Sequence, residues 1–275
     1  MPDSPDPPDP ALILCESCGY SLAGLQPTAT CPECARPIQL TLAQRPGTPF
    51  QQRPSITSAL ATAWSTLRHP YLTFDRIAIE RPRAARLGLI FTLTAAALTA
   101  FPALAPWRAD RLIPAAITLI LAFAALSLLT FIERRGIMFF GRQGGGGNWR
   151  ITPAVASAVC NHAALGWTLG GLLVALASLV ADAGFLRGSR SWFMGQPAIV
   201  ELRSFLELNI GPFAPPTLAA LDAAPRTAAL FAAFLPGLLL FECLVAVGVR
   251  RCRYANLPLP PTPLADPLNL IPPRA

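Results

Sequence analysis

Four long stretches with almost no charge decide what this chain can fold into. Leu87 to Pro106 gives 20 residues, Leu112 to Ile132 gives 21, Ala154 to Ala181 gives 28 and Thr227 to Val249 gives 23, and Glu242 is the one formal charge inside them. A hydrocarbon core about 30 Å thick takes roughly 20 residues of helix to cross, so all four are long enough. Lipid offers no hydrogen-bond partner to an open backbone, so each run must be helical. The prolines within them, Pro102, Pro114 and Pro236, are expected to kink or locally distort the helices without ending them. Charged residues make up 13% of the chain, about half the ~25% of a soluble domain. That leaves too little polar surface to clothe a water-facing globule. The predicted fold class is an all-α membrane bundle of about four transmembrane helices over residues 85–254, preceded by a small N-terminal module.

Charge placement predicts the orientation. The formal charge is +7, and every cationic chain is arginine, because the sequence contains no lysine. Arg76, Arg81, Arg83 and Arg86 precede the first run; Arg134, Arg135, Arg142 and Arg150 lie between the second and third; Arg250, Arg251 and Arg253 follow the fourth. In a four-span arrangement these regions share one side, and the positive-inside rule makes that side cytoplasmic, with both termini in the cytosol. Arginines held beside apolar runs are the signature of a membrane face, not of a groove tracking phosphates, so nucleic acid is not expected as a partner. The lysine-free, Ala- and Pro-rich composition is associated with a bacterial source, and the expected location is the inner membrane.

Residues 1–10 hold three Asp, five Pro and no cationic side chain, unlike a secretory signal, and read as a disordered tail. Residues 11–40 are chemically distinct. Cys15-x2-Cys18 and Cys31-x2-Cys34 are two hooks, each presenting a pair of thiolates, separated by twelve residues that let the pairs meet around a tetrahedral ion. Zinc suits this set of four sulfur ligands, while iron shares it and is not separated by spacing. Disulfides are disfavoured by the reducing compartment that the charge topology implies, and a thioredoxin-like pair lacks its βαβ context. Four cysteine ligands close the coordination sphere, so the site is read as structural and not catalytic. About thirty residues bury too little apolar surface to fold alone, so metal should supply most of the stability. Besides the thiolates the module carries only Glu16, Glu33 and Arg36 as formal charges. It has no basic face, which points to a cytosolic protein partner. Cys160, Cys243 and Cys252 lack partner spacing and read as buried or incidental thiols.

Residues 41–84 are expected to be a linker carrying an amphipathic helix over residues 55–68. Ile56, Leu60, Trp64 and Leu67 fall at helical spacing, and the helix could either lie in the headgroup region with Trp64 as anchor or pack against the bundle. His69-Pro70 stops it. Between the third and fourth runs, Ile199, Leu202, Phe205, Leu206 and Ile210 keep helical spacing, but Glu201, Arg203 and Glu207 argue for a surface helix over a fifth span. Gly144 to Gly147 reads as a spacer, and residues 255–275 as a Pro-rich tail.

Polar groups inside the runs suggest a second candidate site. Asn161 and His162 in the third run and Glu242 in the fourth lie at similar depth, about 10 to 12 Å from the predicted cytoplasmic ends at 1.5 Å per residue. Glu242 is expected to pair with His162 or Asn161, as interhelical glue or as part of a proton or ion path. Gly166-x3-Gly170, followed by Gly171, offers a flat face that either packs within the bundle or drives homo-oligomerisation. The sequence shows no Ser-His-Asp set, nucleophile elbow, His-Glu-x-x-His or phosphate-loop motif, so no enzyme activity is expected.

Cys15-Glu-Ser-Cys-Gly-Tyr-Ser-Leu22 and Cys31-Pro-Glu-Cys34 resemble the short zinc ribbons fused to bacterial membrane proteins, with Ala35 where such ribbons usually carry glycine. Trp64-x3-Arg68-His69-Pro70-x2-Thr73-Phe74, followed by several spans, resembles the Yip-type multi-pass family. That family commonly has five spans, and the resemblance implies a non-enzymatic scaffold. The function expected from these readings is a membrane adaptor whose zinc ribbon recruits a cytosolic protein. The alternative is a small transporter or channel using Glu242 and His162.

Overall fold

A computed structural model describes residues 13–42, 45–79, 81–104, 112–143, 151–182 and 214–256. The expected N-terminal tail, the glycine run, the surface helix between the third and fourth runs and nearly all of the Pro-rich tail lie outside them. Among the described residues the protein is helical, with isolated bridges in place of strands. The elements are α1 (Ile38–Leu42), α2 (Pro49–Gln52), α3 (Ile56–Arg68), α4 (Pro70–Arg76), α5 (Arg81–Ala100), a 3-10 turn (Phe101–Leu104), α6 (Leu112–Gln143), α7 (Pro153–Ala163), α8 (Leu165–Asp182) and α9 (Ala214–Cys252).

Among the described residues, four stretches are long and apolar enough to cross a membrane: Pro82–Leu104, Leu112–Phe140, Pro153–Val180 and Ala228–Cys252. The fold is thus an all-α bundle with four candidate membrane helices and an N-terminal four-cysteine cluster. The prolines act according to position. Pro102 lacks an N–H and crowds the preceding turn, and the chain there tightens into the 3-10 turn. Pro114 falls in the first turn of α6, where a missing N–H costs nothing, and Pro236 sits inside a continuous α9. The third candidate span has no proline beyond its first residue, yet α7 gives way to α8 at Ala164. α6 continues as helix past the apolar run, carrying Glu133, Arg134 and Arg135 beyond the expected span end at Ile132.

The chain divides into two compact units. The first comprises residues 1–84, 136–159 and 247–275, and the second comprises residues 85–135 and 160–246. In the second unit α8 is the hub. A Cβ on Gly166 would stand 2.5 Å from the Phe241 amide nitrogen and 2.7 Å from the Gly237 carbonyl oxygen, and one on Gly171 would stand 2.5 Å from the Ala95 carbonyl oxygen. The small-residue face of α8 therefore receives α9 and α5 of the same chain. Trp167, fully buried, stacks on Phe241 with centroids 4.1 Å apart and on Phe234 at 5.9 Å. Its Nε1 donates to Thr130 Oγ1 of α6 at 3.0 Å, satisfying the indole's one polar group. Thr168 Oγ1 donates to the Phe91 carbonyl of α5 at 3.1 Å.

In the first unit, residues 45–54, expected to be part of a linker, are tied down. The buried Gln51 amide donates from Nε2 to the Ala78 carbonyl at 2.7 Å, and its Oε1 accepts from the Ala78 and Thr48 amides at 3.1 and 3.0 Å. Phe50 N–H donates to Thr62 Oγ1 of α3 at 3.0 Å. Sequence pattern missed this because the segment has no apolar periodicity; side-chain hydrogen bonds to backbone hold it instead. α4 buries Phe74 completely. Its ring lies where Gly248 of α9 leaves room, 2.7 Å from the position a Cβ would take.

Candidate metal centre

The four hook cysteines converge. Their sulfur atoms all lie within 4.8 Å of one another, with Cys15 Sγ to Cys34 Sγ at 3.6 Å and Cys18 Sγ to Cys31 Sγ at 3.5 Å. Four thiolates about 2.3 Å from a tetrahedral ion would stand about 3.8 Å apart, so the donor set fits a metal ion with little rearrangement.

The local backbone explains how the hooks are shaped, because one pattern occurs twice. In the first hook Cys15 N–H donates to Tyr20 O at 2.8 Å, Gly19 N–H to Cys15 O at 2.8 Å and Leu22 N–H to Ile13 O at 2.9 Å. In the second, Cys31 N–H donates to Arg36 O at 2.8 Å, Ala35 N–H to Cys31 O at 2.8 Å and Ile38 N–H to Ala29 O at 3.0 Å. Sixteen residues separate every corresponding pair. The bridges Leu14 to Ser21 and Thr30 to Pro37 obey the same offset. Each hook turns through a left-handed residue, Gly19 at φ 83° and Ala35 at φ 57°. Alanine at this position thus keeps the turn but places a side chain in a conformation disfavoured by about 1–2 kcal/mol. Between the hooks Cys15, Cys31, Leu22 and Ile38 form the small buried core. The repeat was visible in the sequence as Cys-x-x-Cys, then Gly or Ala, then Leu or Ile three residues later.

The sulfur environment separates the thiols. Burial pushes the Cys15 thiol up, but the Cys18 and Ser17 amides and its neighbouring sulfurs outweigh this and hold it at about 7. Cys18 is pushed up, first by burial and then by the other three sulfurs. A bound cation would take the place of the shared thiol protons and favour all four thiolates.

The cluster is docked onto the rest of its unit through residues that carry no motif in the sequence. Arg45 donates from Nε to Glu16 Oε1 and from Nη2 to Glu16 Oε2, both at 3.2 Å. Its Nη1 donates to the Phe74 carbonyl at 2.9 Å, and Nη2 also reaches the Arg251 carbonyl at 3.3 Å. Asn256 acts as a strand mimic: Leu14 N–H donates to its Oδ1 at 3.0 Å and its Nδ2 donates to the Leu14 carbonyl at 2.8 Å. The Tyr254 ring covers Gly19, 2.6 Å from where a Cβ would be. Residues on both sides of Cys15 are thereby tied to α4 and to the end of α9. Of the other cysteines, Cys252 is buried with its thiol 3.6 Å from the Phe74 carbonyl, Cys160 is buried and Cys243 is exposed.

The second candidate constellation gains a member from α6. Asn161 Oδ1 accepts from Arg134 Nη2, and His162 is 1% exposed. Glu242 lies on an exposed stretch of α9. Arg134 reaches Asn161 because α6 stays helical beyond Ile132, which the uncharged run alone did not indicate.

No protein-family model, curated protein or solved structure matches the chain. The likeness to the Yip-type family at Trp64 to Phe74 therefore gains no support from them.

Proposed function

We propose that this protein is a non-enzymatic membrane adaptor whose four-cysteine module is a structural zinc ribbon that recruits a cytosolic protein. One observation carries the reading: four converging sulfurs would leave a bound ion no open coordination position, on a module fastened to the end of a helix able to cross a membrane. Zinc is favoured over iron as an ion without redox chemistry that accepts four thiolates in a tetrahedron. Bound there, it would supply folding energy to a core of only four residues and would activate no water.

The arginine distribution supports an inner-membrane protein with both termini and the ribbon in the cytosol. Glu16 is already engaged by Arg45, so the charges the module can offer a partner are Glu33 and Arg36, beside exposed Tyr20 and Leu40. That surface suits a protein better than a nucleic acid. The alternative is a small transporter or channel using the intramembrane polar groups, where His162 is buried and Glu242 is exposed.

The test is a pull-down from detergent extract with wild-type protein and a Cys15→Ser/Cys18→Ser variant, paired with metal analysis of both. Loss of a specific companion together with loss of zinc supports recruitment. Identical companions in both samples would defeat it.

A further inference from the structure

α3 turns its large apolar side chains outward. Ala59, Thr62 and Thr66 form its buried face, while Ile56, Leu60, Trp64 and Leu67 are 82%, 65%, 64% and 49% exposed. At about 100° per residue those four fall within roughly 80° of arc, so they make one stripe. α4 repeats the arrangement, burying Thr73 and Phe74 while leaving Tyr71 and Leu72 exposed. Six large apolar side chains on two successive helices are thus left exposed by the described residues, on elements too polar overall to be spans.

We propose that α3 and α4 form an interfacial anchor, with the face of Ile56, Leu60, Trp64, Leu67, Tyr71 and Leu72 lying in the headgroup and upper acyl region of the bilayer. This goes beyond the adaptor reading and does not depend on it. Depth comes first. Phe74 sits against Gly248, and the candidate span containing Gly248 ends at Cys252. Four residues of helix cover about 6 Å, so α4 is held at the level where that span leaves the hydrocarbon. Charge agrees with this. Between Glu33 and Asp75 the chain has no acidic residue, and exposed Arg53 and Arg68 bracket the α3 stripe. Asp75 is itself met by Arg251 at 3.5 Å, and the Arg251 guanidinium lies 4.9 Å from the Tyr71 ring centroid. An apolar stripe with a tryptophan at its centre and only arginines at its ends matches phosphate headgroups above acyl chains. The small-residue face is the one used for protein packing, which leaves lipid as the partner for the large one.

The test uses the full-length chain in proteoliposomes of about three parts phosphatidylcholine to one of phosphatidylglycerol, a mildly anionic surface. Fluorescence of the wild-type protein minus that of a Trp64→Phe variant isolates Trp64, and the substitution keeps an apolar ring at an exposed site. Lipids brominated high on the acyl chain should quench this difference signal by about twofold or more, while aqueous iodide should leave it nearly unchanged. Quenching by iodide and not by bromolipid would place the face in water and overturn the proposal. Quenching by neither would mean that protein covers the face, and would overturn it equally.

Discussion

Arg45 holds both carboxylate oxygens of Glu16 at 3.2 Å while its remaining nitrogen reaches the Phe74 carbonyl, so one guanidinium joins the cysteine module to α4. The two side chains are only 8% and 13% exposed, which separates this pair from the surface ion pairs that contribute little. Removing one partner strands the other in a poorly solvated place. Arg45→Met should therefore destabilise docking by about 3 kcal/mol, seen as a roughly hundredfold loss of amide protection over residues 13–38. Glu16→Gln should cost less, and the double variant should fall short of the sum. Additive losses would show that the two side chains are not coupled.

Three left-handed residues give a graded series. Gly24 at φ 77° has nothing within 4 Å of the place a Cβ would take, so Gly24→Ala should cost only about 1 kcal/mol of backbone strain. Gly19 at φ 83° would in addition press a Cβ against the Tyr254 ring, and Gly19→Ala should cost about 2–4 kcal/mol. Ala35→Gly should act in the opposite sense, relieving strain at φ 57° for a net gain of up to about 1 kcal/mol after the added chain entropy. Resistance of bound metal to a competing chelator ranks the variants; an order other than Ala35→Gly, wild type, Gly24→Ala, Gly19→Ala would refute this grading.

Metal removal should act locally. Chelation in detergent is expected to release one ion per chain and to raise amide exchange over residues 13–38, because the core left behind is four residues. Exchange within the four candidate spans should stay slow. Serine at Cys160, Cys243 or Cys252 should leave metal content unchanged, whereas serine at Cys15, Cys18, Cys31 or Cys34 should abolish or greatly weaken it.

Glycines in the helices should divide sharply by position. Gly166→Ala would drive a methyl group into the α9 backbone, so about 1–3 kcal/mol of destabilisation and a lower midpoint of heat-induced aggregation in detergent are expected. Gly136 in α6 has open space around it, and Gly136→Ala should be neutral or stabilising by up to about 1 kcal/mol through helix propensity. Equal behaviour of the two would mean that α8 and α9 do not meet as described.

The sequence by itself determined the parts whose physics is local or one-dimensional. Length and absence of charge select helices that can cross lipid, and two Cys-x-x-Cys hooks bring their sulfurs together around a metal-sized space, because both signals are written in consecutive residues. Only the tertiary structure decided where the module docks, which glycine meets which helix and which face of α3 is left open. Asn256 and Leu14 are 242 positions apart, and Arg45 and Cys252 are 207 apart. No periodicity encodes such pairs; they exist because folded helix ends bring a guanidinium, an amide and a carboxylate within hydrogen-bond reach, where burial makes leaving them unpaired costly.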